Sequence, residues 1–361
     1  MIKVMTSLGI KGRRSTPLLR SLSFNIGRST ETLDSKQVAD VFYSCAVLNF
    51  PDEILLAKVT ADLASSLKTN KTPSVVSSIA TSAGILKYRD TELFENLCNW
   101  VVENHSSCRI KEYISLVLAL ASVNYIPSSF SRIHKKFKPF LNESEMENYQ
   151  DWLDVVWSLV VLQMHNKDLL QSVLTSDFIN KLALQNGGDV HIVTKMKLLN
   201  INSAAQLLGS DYDGVLLPEN SNIYNVPLVR TKEKQLFVDC VKDSISNLFD
   251  ISQHFKSDVN TGMGFLIDFE CRLNSRSQPV KITEWSAENL HKVAIMVCNY
   301  HDVCRGTNEK PHGRTALYYR LLESNDYKLL VIPFYEFSMR DKLITRVQYL
   351  ENKFKNLVSR S

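Results

Sequence analysis

Long apolar runs, paired cysteine spacings and glycine-rich phosphate loops are all missing from this chain of 361 residues. No apolar stretch reaches the ~18 residues that a membrane-spanning helix needs. The cysteines (Cys45, Cys98, Cys108, Cys240, Cys271, Cys298 and Cys304) are odd in number and irregularly spaced, and they never form C-x-x-C. Reduced thiols in a non-secretory compartment are therefore expected, not a disulfide framework. There is no G-x-G-x-x-G loop, no H-R-D and no D-F-G. Nothing is thus available to cradle ATP phosphates or hold Mg²⁺ in the manner of a protein kinase. Residues 1–30 lack the long apolar segment of a secretory signal. They also contain no acid, the first being Glu31.

What is present begins with charge. The net charge is +4, but Lys3, Lys11, Arg13, Arg14, Arg20 and Arg28 give the first 30 residues +6, so the remainder nets −2. This basic, Ser/Thr-rich segment has the composition of a mitochondrial transit peptide. It also reads as a helix, with Pro17 at a first helical position and Leu18, Leu19 and Leu22 following. The helix is the preferred reading, and on it the chain opens inside a helical array. Apolar content is 44%, enough for a sizeable core in two or three domains.

Between residues 35 and 185 one pattern recurs. A small residue (Ser44, Ser82, Ala119, Ser158) is followed four positions on by an aliphatic one (Leu48, Leu86, Val123, Leu162). A large apolar residue comes two positions later (Phe50, Tyr88, Tyr125, Met164), and a further apolar anchor follows a polar turn (Leu55, Leu93, Phe130, Leu169). Successive units are 38, 37 and 39 residues apart. Such a period predicts an α-solenoid, because a single helical pair cannot cover its own apolar face and must stack on its neighbours. The turn residues Pro51-Asp52, Arg89-Asp90 and Pro127 are expected to end each first helix and start the second. Single-stranded RNA and protein partners both suit the long surface of such an array.

The pattern fades after Leu184. A Gly/Pro/Asn-rich stretch follows, and a linker is placed at 216–230, dividing a helical region over 1–215 from an α/β domain over 231–361. In that domain a helix is predicted over 232–250, strands at 264–273 and 292–299, a helix at 313–324, a strand at 327–337 and a closing helix at 340–358.

This C-terminal order resembles a RAP domain. Ile267-Asp268 matches its first strand, and Ala294-Ile295-Met296-Val297 with His301 its second. Thr315, Leu317, Arg320, Leu321 and Leu322 match its helix. Tyr327, Ile332, Pro333, Tyr335, Glu336 and Phe337 match its next strand, and Tyr349-Leu350 its end. Upstream, residues 151–182 and 200–218 resemble the second FAST segment, the preceding repeats resemble the first, and residues 12–24 also resemble the array. The chain is thus similar to the FAST-kinase-domain family over nearly its whole length. FAST-type segments are expected at about 70–140 and 150–218, and the RAP domain at about 290–350.

The resemblance implies a mitochondrial-matrix protein that governs stability or processing of organelle mRNAs. Its implied partners are single-stranded mitochondrial transcripts and other RNA-processing proteins, and it implies no cofactor. RAP domains resemble the restriction-endonuclease-like fold, so endonuclease or nuclease-cofactor activity is an alternative, and a pure protein–protein scaffold is another. Hydrolysis needs carboxylate oxygens for Mg²⁺. Asp268 is a candidate remnant, with Glu270 on the same strand face, but Met296 and Cys298 stand where the neighbouring strand would supply acids, and Tyr318 stands where a lysine is usual. Binding without efficient cleavage is therefore expected. A zinc site from Cys298, His301 and Cys304 with His291 or His312 has an uncommon spacing, and none is expected. RNA contact is assigned to the 301–320 stretch: His301, Arg305, Arg314, Tyr318, Tyr319 and Arg320 supply cations for phosphates and rings for bases.

Overall fold

The computed structural model describes residues 1–209, 212–306 and 310–358. Its contacts divide the chain into two units: Met1–His165 with Val303–Arg314, and Asn166–Asp302 with Thr315–Ser361. Among the described residues no helix is long and apolar enough to cross a membrane.

The first unit holds the helices α1 (Ile2–Ile10), α2 (Thr16–Gly27), α3 (Ser35–Val47), α4 (Glu53–Ser66), α5 (Pro73–Leu86), α6 (Thr91–Glu103), α7 (Ile110–Val123), α8 (Phe130–Phe137) and α9 (Tyr149–Val161). The odd-numbered helices pack one on the next from α1 to α9, and the even-numbered ones do so from α2 to α8. The result is a two-layered array of helical pairs. The small residues Ser44, Ser82, Ala119 and Ser158 are all buried. They are small for a reason: a Cβ placed on Gly84 would lie 2.9 Å from the Cα of Ala119, and one on Gly9 would lie 3.2 Å from that of Ser44.

Each first helix ends in the same way. Asn49, Lys87, Asn124 and Gln163 all have φ between 46° and 57°, and Gly12 has φ 60°. One residue later the amide reaches back five positions: Arg13 to the Leu8 carbonyl, Phe50 to Cys45, Tyr88 to Ala83, Tyr125 to Leu120 and Met164 to Leu159, at 2.8–3.1 Å. This is the Schellman closure, in which a left-handed residue lets the chain turn and satisfy the last carbonyls. It corrects the expectation that Pro51, Arg89-Asp90 and Pro127 stop these helices. Asp52 and Asp90 instead start the second helices, accepting from the amides of Leu55 and Leu93. The closure at Gly12 also adds a repeat ahead of the four visible in sequence.

The second unit opens with α10 (Lys167–Leu174), α11 (Ser176–Gln185) and α12 (Ile192–Leu207). It continues through α13 (Lys232–Ser246) and the single turn α14 (Ile251–His254) into β1 (Phe255–Asn260), β2 (Leu266–Leu273) and β3 (His291–Cys298). Then come α15 (Gly313–Ser324), β4 (Tyr327–Pro333) and α16 (Leu343–Val358). The sheet order is β1-β2-β3-β4, with β3 and β4 parallel and the other pairs antiparallel. One face carries Phe269, Cys271, Val293, Ile295, Val297, Leu330 and Ile332 into a core completed by Phe237, Val241 and Ile245 of α13 and Leu350 and Phe354 of α16. A mostly helical chain with a small mixed sheet near its C-terminus is the expected coarse architecture. Strand β1 was not expected: its residues alternate buried and exposed, and its outward positions are polar.

Candidate nucleic-acid interface

The stretch assigned to RNA contact divides between the two units. Val303–Arg314 belongs with the helical array, and its residues 307–309 lie outside the described residues. Arg305 pairs with the turn after α5: its amide donates to the Lys87 carbonyl and its carbonyl accepts from the Arg89 amide, both at 2.8 Å. Cys304 Sγ donates to the Val123 carbonyl at 3.4 Å. Gly313 is pressed against α7, where an added Cβ would fall 1.8 Å from the Ala121 carbonyl oxygen. The Arg305 backbone, the Cys304 thiol and the close seat of Gly313 thus sew this segment to the array. It leaves Arg305 half-buried and Arg314 exposed.

A second cationic feature lies on α8. Phe130, Ile133 and Phe137 point inward, and Tyr113 packs on them, its ring 5.1 Å from that of Phe137. The spacing i, i+3, i+4 then puts Arg132, Lys135 and Lys136 together on the outside, with exposed Lys138 just beyond. No carboxylate ion-pairs with any of these four among the described residues. His134 is tied to the Tyr113 hydroxyl at 2.6 Å, and burial, reinforced by Lys138, lowers its pKa. The signal for this strip was visible: the chain carries no acid from Tyr113 to Asn142. Phe140 follows on the surface, 63% exposed.

In the second unit, Asp268 is a buried strand carboxylate with both oxygens engaged. Oδ1 accepts from Arg230 Nε at 2.8 Å, and Oδ2 accepts from the Val297 amide at 2.7 Å. Burial raises its pKa, against the pull of Lys234, Arg230 and the Val297 amide. Arg230 also pairs with Asp258. Glu270, one alternation along, accepts from the Tyr327 hydroxyl at 3.0 Å. The Asp268 carboxylate is therefore taken up by a guanidinium and a backbone amide. Lys234 binds Asp302 at 2.9 Å. Sequence reasoning missed Arg230 and Lys234, which are 38 and 34 residues from Asp268 and carry no motif.

The remaining assigned residues scatter. His301 is exposed beside Glu233 at 3.2 Å and meets the Tyr300 ring edge-on at 5.7 Å. Tyr318 stacks on Phe265 with ring centroids 4.0 Å apart. Tyr319 is held at Cys298, and burial drives its pKa up. Arg320 is half-buried, and burial lowers its pKa. The two tyrosine rings thus pack inside the fold. Of the imagined soft-metal set, Cys298 and His301 lie in one unit and Cys304 in the other.

Comparison with known proteins assigns the helical and sheet segments to one family. The model of FAST kinase-like protein subdomain 1 matches residues 113–183, and that of subdomain 2 matches residues 195–281. Both matched segments are FAST kinase-like. Subdomain 1 thus begins in α7 and takes in the α8 strip, and subdomain 2 runs from α12 through the Arg230–Asp268 pair. Among FAST kinase-like relatives, the chain is similar to human FAST kinase domain-containing protein 4, at 26% identity over 99% of this chain and 58% of that protein. Mouse Fas-activated serine/threonine kinase is 24% identical over 89% of this chain and 66% of that protein. Human FAST kinase domain-containing protein 2, named as mitochondrial, is 23% identical over 68% of this chain and 34% of that protein. The chain spans less than two thirds of the length of the first of these.

Proposed function

We propose that this chain binds single-stranded RNA in mitochondrial transcript metabolism, holding it without cutting it. The observation that carries this reading is the α8 strip. Arg132, Lys135 and Lys136 share the outer side of α8, with Lys138 and Phe140 exposed just beyond, and among the described residues no carboxylate ion-pairs with these four cations; they sit on an array of helical pairs, which we read as an α-solenoid. Cations neutralise phosphates and aromatic faces receive bases, which is what single-stranded RNA requires. Arg314, exposed on the same unit, extends the set. We read the sheet unit as a RAP domain. The mitochondrial part of the proposal rests on the names of family members. The proposal excludes hydrolysis because Arg230 neutralises Asp268 from inside the fold. It excludes phosphoryl transfer because the kinase motifs are absent.

The test is binding of an end-labelled single-stranded RNA over a salt series. Each phosphate contact contributes roughly 0.7 to the slope of log affinity against log salt. Replacing Arg132, Lys135 and Lys138 together by Ala should flatten that slope by about 2. Salt-independent or absent binding would overturn the reading in favour of a protein scaffold. Mg²⁺-dependent cleavage lost in Asp268→Asn would show a working nuclease.

A further inference from the structure

Beside the α8 strip, a cavity of about 850 Å³ opens between α7, the end of α8 and the start of α9. Its size suits a small organic ligand. Its lining is arranged by repeat. The α7–α8 pair supplies Lys111 and Lys136, neither of them ion-paired among the described residues, together with Phe140. The next repeat supplies Glu147 and Asp151, with Asp154 one turn beyond. Cations, an exposed ring and carboxylates therefore line one hollow, with opposite charges coming from opposite sides of a repeat junction.

We propose that this cavity is a guanine-selecting subsite for one nucleotide of the bound RNA. The proposal rests on the RNA-binding reading and deepens it. The nucleotide's phosphate lies on Lys111 and Lys136, its base against Phe140, and its Watson–Crick edge on Asp151. The choice of base follows from hydrogen-bond chemistry. An ionised carboxylate only accepts, and its two oxygens suit two adjacent donors. Guanine alone among the four bases offers two adjacent donors on that edge, N1–H and the N2 amino group. Adenine and cytosine each place a ring nitrogen lone pair beside their single amino group. Uracil flanks its one N–H with two carbonyls, which the carboxylate repels.

The acidic side is poised for such a donor. Asp151 Oδ2 accepts from Asn148 Nδ2 at 2.7 Å, which orients the carboxylate from the helix cap. Burial first, then Asp154 and Glu147, raises its pKa, and among the described residues no cation ion-pairs with it. Crowded negative charge of this kind repels bare phosphate. A nucleotide therefore enters with its base toward α9 and its phosphate toward α8.

Full-length chain should be titrated by fluorescence anisotropy with a labelled twelve-residue oligouridine and with the same oligomer carrying one central guanosine, adenosine, cytidine or inosine. Guanosine should bind at least tenfold tighter than adenosine, and inosine, which lacks the amino group, should lose most of that gain. Asp151→Asn should abolish the preference for guanosine and bind oligouridine at least as tightly as the parent chain, since the neutral amide no longer repels uracil's carbonyls. Phe140→Ala, at an exposed position that folding does not need, should weaken every oligomer containing a purine. Equal affinities in a chain that binds all five would overturn the guanine subsite and leave the RNA reading standing. Guanosine monophosphate should be titrated separately. Its saturable binding, lost in Asp151→Asn and not displaced by oligolysine, would uphold the guanine site even if no oligomer bound. Failure of both would overturn the subsite and the RNA reading together, and displacement of the monophosphate by oligolysine with no oligonucleotide bound would assign the cavity to a basic peptide.

Discussion

Glu95 shows how much one surface carboxylate can organise. On α6, its Oε1 accepts from the Tyr125 hydroxyl at 2.8 Å and the Ser128 amide at 2.9 Å, and its Oε2 accepts from the Ser128 hydroxyl at 2.8 Å. Burial pushes its pKa up, but the Ser128 and Tyr125 donors win and hold it below the ordinary 4.5. A depressed carboxyl stabilises the fold above its unfolded pKa, and that contribution is lost as pH falls through the folded value. Glu95→Ala should therefore cost about 2 kcal/mol in urea unfolding near neutrality. Glu95→Gln should show a shallower loss of stability than the parent chain as pH is lowered from 5 to 3 (about the range where carboxylates titrate). The buried amides of α12 make a parallel case. Asn200 Nδ2 donates to the Met263 carbonyl at 2.6 Å, and Asn202 Oδ1 accepts from the Leu217 amide at 2.8 Å. Asn200→Ala should destabilise by roughly 1–3 kcal/mol, because the Met263 carbonyl is left without its donor; thermal unfolding would measure it. Nothing in the sequence around Asn200 announces that bond, since its partner lies 63 residues away.

At the scale of the element, the five Schellman closures are the repeat's own signature. Gly is the unstrained residue at a left-handed position, and Asn is tolerated, but Lys87 and Gln163 hold φ of 52° and 57° with long side chains. Gln163→Gly should raise stability by about 1 kcal/mol, and a fall in melting temperature would contradict the closure. Gly84→Ala should go the other way despite alanine's better helix propensity, since the new methyl meets the Ala119 backbone at 2.9 Å. We expect a loss of about 1–3 kcal/mol in denaturant unfolding. The helices were legible because each needs an apolar face every 3.6 residues and the same four-position grammar recurs at Ser44, Ser82, Ala119 and Ser158. Strands β2, β3 and β4 were legible as apolar runs. Strand β1 was not, because FKSDVN has one face on the core and one in water and reads as a polar loop. The site was harder still. Positions 301–320 combine cations and rings in sequence, yet the Tyr318 ring stacks on Phe265 and the Tyr319 hydroxyl is bonded to Cys298. The strip on α8 was spelled out in full, but its lysines looked scattered until the helix phase put Arg132, Lys135 and Lys136 on one side.

For the whole molecule, the decisive fact is that the array borrows residues from far down the chain. A chain cut after His165 keeps every helix from α1 to α9 but loses Val303–Arg314, and with it the bonds from Arg305 to Lys87 and Arg89. In hydrogen exchange, the Arg89 amide should lose its protection in the cut chain while amides inside α5 keep most of theirs; unchanged protection at Arg89 would mean that the segment adds nothing to the array. The same feature sets a timetable. Arg305 leaves the ribosome 218 residues after Lys87, which at ~5–20 residues per second is about 10–40 s of synthesis. Throughout that interval the turn after α5 lacks its two backbone bonds to Arg305, which leaves a short edge open to another extended strand. The array is thus made well before the segment that closes it. That turn is sealed only when its own distant segment arrives.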